Sequence, residues 1–131
     1  MKILIAENDH ASGRFLSELL GKYGICDLVI DGQESINAFL VALEEREPYD
    51  LLCLDIMMPK VDGITTLKTI RDIERQYRIK PDNRIKIIII TALDDARLEQ
   101  RAFDNGCDEY LTKPIDIERL LKIVDNPGGS R

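Results

Sequence analysis

The chain has 131 residues, 44% of them hydrophobic and 32% charged, with a net charge of −6; this is enough for one domain with a real core. The acidic balance excludes a general attraction to nucleic acid or to anionic lipid, so neither is expected as a partner. The longest apolar run, 87–90 with its neighbours, falls far short of the roughly 20 residues a membrane span requires, and Met1-Lys2-Ile3 leads into a strand rather than a signal peptide. The chain reads as cytoplasmic.

Residues 2–6 are apolar and bounded by Glu7-Asn8-Asp9, which predicts a first strand. Phe15, Leu16, Leu19, Leu20 and Tyr23 then recur at helical spacing, predicting a helix over about 10–23 with one buried face, ended by Gly24. His10, the single histidine, has no second imidazole or cysteine to pair with and reads as an exposed residue at the helix start. Residues 28–30 form a short second strand, and Ile36, Phe39, Leu40 and Leu43 trace a second amphipathic helix that stops before Pro48.

The third strand, 51–54, ends in a single carboxylate, Asp55, followed by a turn containing Pro59 and Gly63. Ile64, Leu67, Ile70, Ile73 and Tyr77 mark a third helix, and the polar stretch 78–84 reads as a loop. The run 85–90 is nearly all isoleucine, suiting a strand buried on both faces of a parallel sheet. A fourth helix begins at Asp94-Asp95 with a thin apolar face of Leu98, Ala102 and Phe103, and is expected to be the least firmly held element. Gly106 ends it, 109–112 is the last strand, and Ile117, Leu120, Leu121 and Val124 give a final short helix. The polar, Gly-rich 126–131 reads as a flexible tail or linker stump, leaving 1–125 as the domain. Three cysteines, Cys26, Cys53 and Cys107, lack CxxC spacing, and Cys53 reads as a small buried hydrophobe in a reducing compartment.

Strand and helix alternate about five times with short connections, which predicts an α/β domain with a parallel sheet and right-handed crossovers. In open parallel sheets the working site lies beyond the carboxyl ends of the strands. Glu7, Asn8 and Asp9 follow strand one, Asp55 strand three, Thr91 strand four and Lys113 strand five, so all can meet there. Crowded carboxylates repel one another unless a cation neutralises them, and Mg²⁺ suits an oxygen donor set of this kind. Lysine supplies a point charge and threonine a hydroxyl donor, both suited to a phosphoryl oxygen. The joint chemistry is a carboxylate nucleophile that accepts a phosphoryl group.

The segments Ile3-Leu4-Ile5-Ala6-Glu7-Asn8-Asp9, Leu54-Asp55-Ile56-Met57-Met58-Pro59, Asp62-Gly63, Ile90-Thr91-Ala92 and Tyr110-Leu111-Thr112-Lys113-Pro114 resemble the receiver domain of two-component response regulators, including the chemotaxis-type single-domain members. The resemblance implies a doubly wound, flavodoxin-like five-stranded sheet of order 2-1-3-4-5 with helices on both faces. It implies phosphorylation of Asp55 by a sensor histidine kinase or phosphotransfer protein. Glu7, Asn8, Asp55 and the Met57 carbonyl would bind Mg²⁺, and Thr91 and Lys113 would contact the phosphoryl group. Thr91 and Tyr110 would act as the switch that remodels the face of helix 4, strand 5 and helix 5 for a downstream target protein, as a monomer or a phosphorylation-dependent dimer. Lys113-Pro114 would be a cis peptide.

Asn8 stands where the family usually has an acid, which predicts weaker metal binding unless Asp9 compensates. Met57 and Leu93, two residues beyond Asp55 and Thr91, are apolar and cannot orient an attacking water, which predicts slow self-dephosphorylation. A degenerate receiver acting as a phosphorylation-independent interaction module is the alternative. An independent enzyme is not expected: the chain lacks the second Asp two residues after Asp55 that a phosphohydrolase would use, and the Ser/Thr-rich phosphate loop after strand one of a flavin-binding domain. No enzymatic activity is expected beyond the domain's own phosphoryl transfer and dephosphorylation.

Overall fold

A computed structural model describes residues 1–58 and 60–125; the predicted tail lies outside the described residues. Strands β1 (Lys2–Ala6), β2 (Ile25–Val29), β3 (Leu51–Leu54), β4 (Lys86–Thr91) and β5 (Glu109–Thr112) alternate with helices α1 (His10–Leu20), α2 (Gly32–Glu44), α3 (Gly63–Gln76), α4 (Ala96–Asp104) and α5 (Ile117–Asp125). The strands form one sheet in the order β2-β1-β3-β4-β5, and every pairing is parallel. This is the predicted doubly wound, flavodoxin-like sheet.

Side chains alternate across a strand, so one apolar run feeds two cores. Leu4, Leu52, Leu54, Ile87 and Ile89 face a layer that contains Phe39 of α2 with Leu67 and Ile70 of α3. Their neighbours Ile3, Ile5, Cys53, Ile88 and Ile90 face the other layer, with Leu16 and Leu20 of α1 and Leu120 and Val124 of α5. Burial on both faces is why β3 and β4 read as continuous hydrophobic runs. No helix among the described residues is long and apolar enough to cross a membrane.

Several boundaries differ from the sequence reading. Helix α1 stops at Leu20, and Gly21 caps it by donating its N–H to the Ser17 carbonyl. Gly24 lies beyond the helix and has a different role: a Cβ there would sit 2.0 Å from the Met1 carbonyl oxygen, so only glycine lets the two segments approach. Strand β2 starts at Ile25 rather than Leu28, because backbone pairing to β1 defines it while its side chains are largely exposed, Ile25 at 73%. Phe15, Tyr77 and Phe103 are also exposed rather than buried. The stretch 78–84 holds a short 3₁₀ turn at Pro81–Asn83. On α4 only Ala102 is fully buried, matching its thin apolar face. His10 is exposed and Cys53 is buried, as read from the sequence.

Two buried polar arrangements were not visible as apolar periodicity. Lys86 lies buried in β4 and its Nζ donates to the Ile123 carbonyl at 2.9 Å. Arg71, 2% exposed on α3, donates to the Gly106 carbonyl, the Ile85 carbonyl, Glu74 Oε1 and Asp108 Oδ2. Glu74 Oε2 and Asp108 Oδ2 in turn accept from the Ile85 and Ile87 N–H groups at the start of β4. One guanidinium therefore ties α3 to β4 and to the turn before β5.

Candidate functional site

The sheet's hydrogen-bond ladder runs one residue past its strands and fixes the backbone of three site residues. The Glu7 N–H donates to Val29, the Asp55 N–H to Ala6 and the Lys113 N–H to Thr91. Because β1, β3 and β4 are adjacent, Asp55 stands between the segment carrying Glu7 and the strand ending in Thr91. Lys113, one strand further out, reaches back with its long side chain. Its Nζ contacts Glu7 Oε1 and lies 3.4 Å from Asp55 Oδ2. Glu7, Asp55 and Thr91 are all buried.

The turn after β3 is shaped to hold Asp55. The Met57 N–H donates to Asp55 Oδ1 at 3.0 Å, and the Gly63 N–H donates to the Ile56 carbonyl at 3.0 Å. A Cβ on Gly63 would lie 2.5 Å from the Ile56 Cα, so α3 can begin this close to Asp55 only with glycine there. Asp62 caps α3 by accepting from the Thr65 N–H. Lys113-Pro114 is a cis peptide.

Burial pushes the Glu7 carboxyl above its ordinary range; neighbouring Asp55 pushes the same way, and the Lys113 ammonium opposes both. Burial alone would depress Lys113, but the Glu7 and Asp55 carboxylates outweigh it and hold the ammonium above its ordinary value. Two carboxylates thus share one cation, and Glu7 Oε2 is buried with no hydrogen-bond partner among the described residues. An orphaned carboxylate oxygen beside a second carboxylate is a donor set suited to a hard cation. Among the described residues, no group of three or more His, Cys, Asp or Glu side chains is arranged to hold a metal ion. The two further donors that the sequence suggests, the Asn8 amide and the Met57 carbonyl, are neutral.

Asn8 and Asp9 are exposed. Asp9 caps α1: its Oδ2 accepts from the Ser12 N–H at 3.0 Å and the Ser12 hydroxyl at 2.6 Å. Those bonds hold its carboxyl below the ordinary range. Thr91 and Tyr110 are joined through a residue that sequence reasoning noticed only for its apolar side chain. The Leu93 N–H donates to Thr91 Oγ1 at 3.3 Å, and the Leu93 carbonyl accepts from the Tyr110 hydroxyl at 2.7 Å. Tyr110 is buried. Backbone donors and acceptors of this kind carry no residue-type signal.

A doubly wound α/β domain with an acid pair, a lysine and a threonine at the carboxyl edge of its sheet has the architecture of a signalling receiver. Residues 3–125 match the sequence model described as the response regulator receiver domain, and the chain belongs to that family. Over 124 residues it is 36% identical to the DNA-binding dual master transcriptional regulator RpaA of Synechocystis, covering 94% of this chain and 47% of that protein. It is 33% identical over 129 residues to hybrid signal transduction histidine kinase K of Dictyostelium discoideum, covering 95% of this chain and 10% of that protein. The chain thus spans half or less of the length of these curated relatives.

Among solved structures, it resembles the receiver domain of Ssk1 from Saccharomyces cerevisiae, co-crystallised with the histidine phosphotransfer signalling protein Ypd1. That match has a TM-score of 0.81 and 27% identity, covering 98% of this chain and 88% of that one. The CheX–CheY complex with BeF3 and Mg from Borrelia burgdorferi matches with a TM-score of 0.80 and 26% identity, covering 95% and 86%.

Proposed function

We propose that this receiver accepts a phosphoryl group on Asp55 from a sensor histidine kinase or a phosphotransfer protein, and passes the signal to a downstream protein. The observation that carries the reading is Lys113, whose ammonium faces both Glu7 and Asp55 at the carboxyl end of the central strand. The solved complex of the Ssk1 receiver with a histidine phosphotransfer protein supports this class of donor.

In the proposed step a carboxylate oxygen of Asp55 attacks the phosphorus of a phosphohistidine. The phosphorus–nitrogen bond breaks, its electron pair leaves with the imidazole nitrogen, and that nitrogen takes up a proton. The Met57 N–H fixes the Asp55 carboxylate through Oδ1, and the Lys113 ammonium is placed to follow the negative charge from Asp55 to the phosphoryl oxygens. Glu7 and Asp55, with the Asn8 amide and the Met57 carbonyl, would hold Mg²⁺, which when bound neutralises charge on the acids and the phosphoryl group. Beyond this transfer and the later loss of phosphate, the domain turns over no substrate.

Output follows from the Leu93 link. A phosphoryl group brings roughly −1.5 to −2 charges and new acceptors. Drawing the Thr91 hydroxyl toward it disturbs the Leu93 N–H contact, and the same residue's carbonyl holds Tyr110. The proposed result is remodelling of the α4, β5 and α5 face, read by a cytoplasmic target or a second receiver. A phosphorylation-independent interaction module is the second reading, favoured by Asn8 and by the absence of a three-acid cluster among the described residues.

The test is intact mass after incubation with acetyl phosphate, with and without Mg²⁺, beside Asp55→Asn. A Mg²⁺-dependent phosphoryl adduct missing from the variant is expected. No adduct at any Mg²⁺ concentration selects the second reading.

A further inference from the structure

At the end of the sheet opposite Asp55, where β3 and β4 begin, the described residues line an open cavity of about 660 Å³. Small-molecule sites commonly hold roughly 300–1,000 Å³. Three aromatic residues border it, the buried Phe39 of α2 and Tyr49 before β3 and the exposed Tyr77 after α3. Its rim is the segment 78–84, which places Arg78, Lys80 and Arg84 around the same space.

The charges there are unevenly satisfied. Three acids also line the cavity: Glu74, Asp50 and Asp82. Glu74 is committed to Arg71 and the Ile85 N–H, and Asp50 accepts from the Lys2 N–H at 2.7 Å. Among the described residues, none of Arg78, Lys80 and Arg84 forms an ion pair. Carboxylates are plentiful in a chain with 24 acids, yet these three basic groups have none. Arg84 Nε is shut off from solvent without a hydrogen-bond partner, a costly state for a cationic donor.

We infer that this cavity binds a small organic anion, with an apolar body against Tyr77 and a phosphate or carboxylate on Arg84, flanked by Lys80 and Arg78. A guanidinium fork matches an oxyanion through two parallel N–H bonds. Turning the Arg84 fork toward the cavity gives up no ion pair, and the ligand supplies the acceptor that Nε lacks. The exposed Tyr77 ring accounts for the apolar half of the ligand, which a free inorganic ion would leave unused.

The test is two-dimensional NMR of the 131-residue chain titrated with AMP, phenyl phosphate, benzoate and inorganic phosphate. At least one aromatic anion is expected to shift the Arg84 Nε–H resonance and the Ile79 and Asn83 amides saturably, about tenfold or more tighter than inorganic phosphate. Phenyl phosphate against benzoate distinguishes a phosphate from a carboxylate ligand. Arg84→Gln is expected to weaken binding about tenfold while keeping a dispersed spectrum. If that variant loses its dispersion, Lys80→Gln decides, with weaker binding expected. The inference is overturned if no aromatic anion gives saturable shifts at millimolar concentration, or if shifts fall only around Asp55 and Lys113. Binding of inorganic phosphate as tightly as the aromatic anions, or binding unchanged in the variant used, overturns it equally.

Discussion

Replacing Arg71 with leucine removes one side chain and strands the polar groups it serves. Arg71 and Glu74 are 2% and 1% exposed, and their contact at 2.7 Å is a buried ion pair. Removing one partner of such a pair typically costs about 3–5 kcal/mol, because the other charge stays buried without compensation. Asp108 is also left without the guanidinium, but its side chain is 15% exposed and water can relieve part of its charge. The Gly106 and Ile85 carbonyls lose their side-chain donor as well, at 2.9 and 2.8 Å. A loss of about 4 kcal/mol is therefore expected, a large share of the roughly 5–15 kcal/mol that holds a domain folded.

With a urea slope of about 2 kcal/mol/M, the unfolding midpoint should fall by about 2 M. Arg71→Lys keeps the charge but loses the fork and is expected to fall between wild type and Arg71→Leu. Removing the stranded acid too, in Arg71→Leu with Glu74→Leu, should recover part of the loss. Urea denaturation followed by circular dichroism measures all three. A loss below about 1 kcal/mol in Arg71→Leu would show that the network carries no more than a surface ion pair.

Three further outcomes follow from the site. Asn8→Asp adds a carboxylate beside Glu7 and Asp55 and should tighten Mg²⁺ about tenfold; equal affinities by calorimetric titration would remove the charge-count argument. Met57→Asn with Leu93→Glu places water-orienting groups beside Asp55 and Thr91 and should speed phosphate release about tenfold or more, measured as decay of the phosphoryl adduct; an unchanged rate would refute the role given to these apolar side chains. Tyr110→Phe deletes the hydroxyl that binds the Leu93 carbonyl and should cost about 1 kcal/mol in thermal or urea unfolding; an unchanged stability would mean the bond is not an anchor.

The central strands and the site shared a legible signal. The runs at 51–54 and 87–90 are apolar because both faces of the sheet are covered, and the acid or hydroxyl that follows each run stands at the carboxyl end of its strand. What escaped was held by the backbone or by polar groups. Strand β2 is an edge strand whose side chains are mostly exposed, so hydrophobicity found only its last part. Arg71 and Glu74 are buried because they satisfy each other and nearby backbone groups, and Lys86 because its ammonium reaches the Ile123 carbonyl, which apolar periodicity cannot register. Asp9 did carry a readable alternative, since an acid three residues before Ser12 at a helix start is a capping pattern. The link from Thr91 to Tyr110 runs through the main chain of Leu93, which any residue type would supply.

Reductive trapping tests the assignment of Asp55 most directly. Borohydride converts an aspartyl phosphate to homoserine, so peptide mapping after treatment with acetyl phosphate and Mg²⁺ reads the modified position. Homoserine at position 55 in the wild-type chain, and none in Asp55→Asn, is the predicted result. Homoserine at another aspartate, or an unmodified Asp55 under conditions that give a phosphoryl adduct, would contradict it.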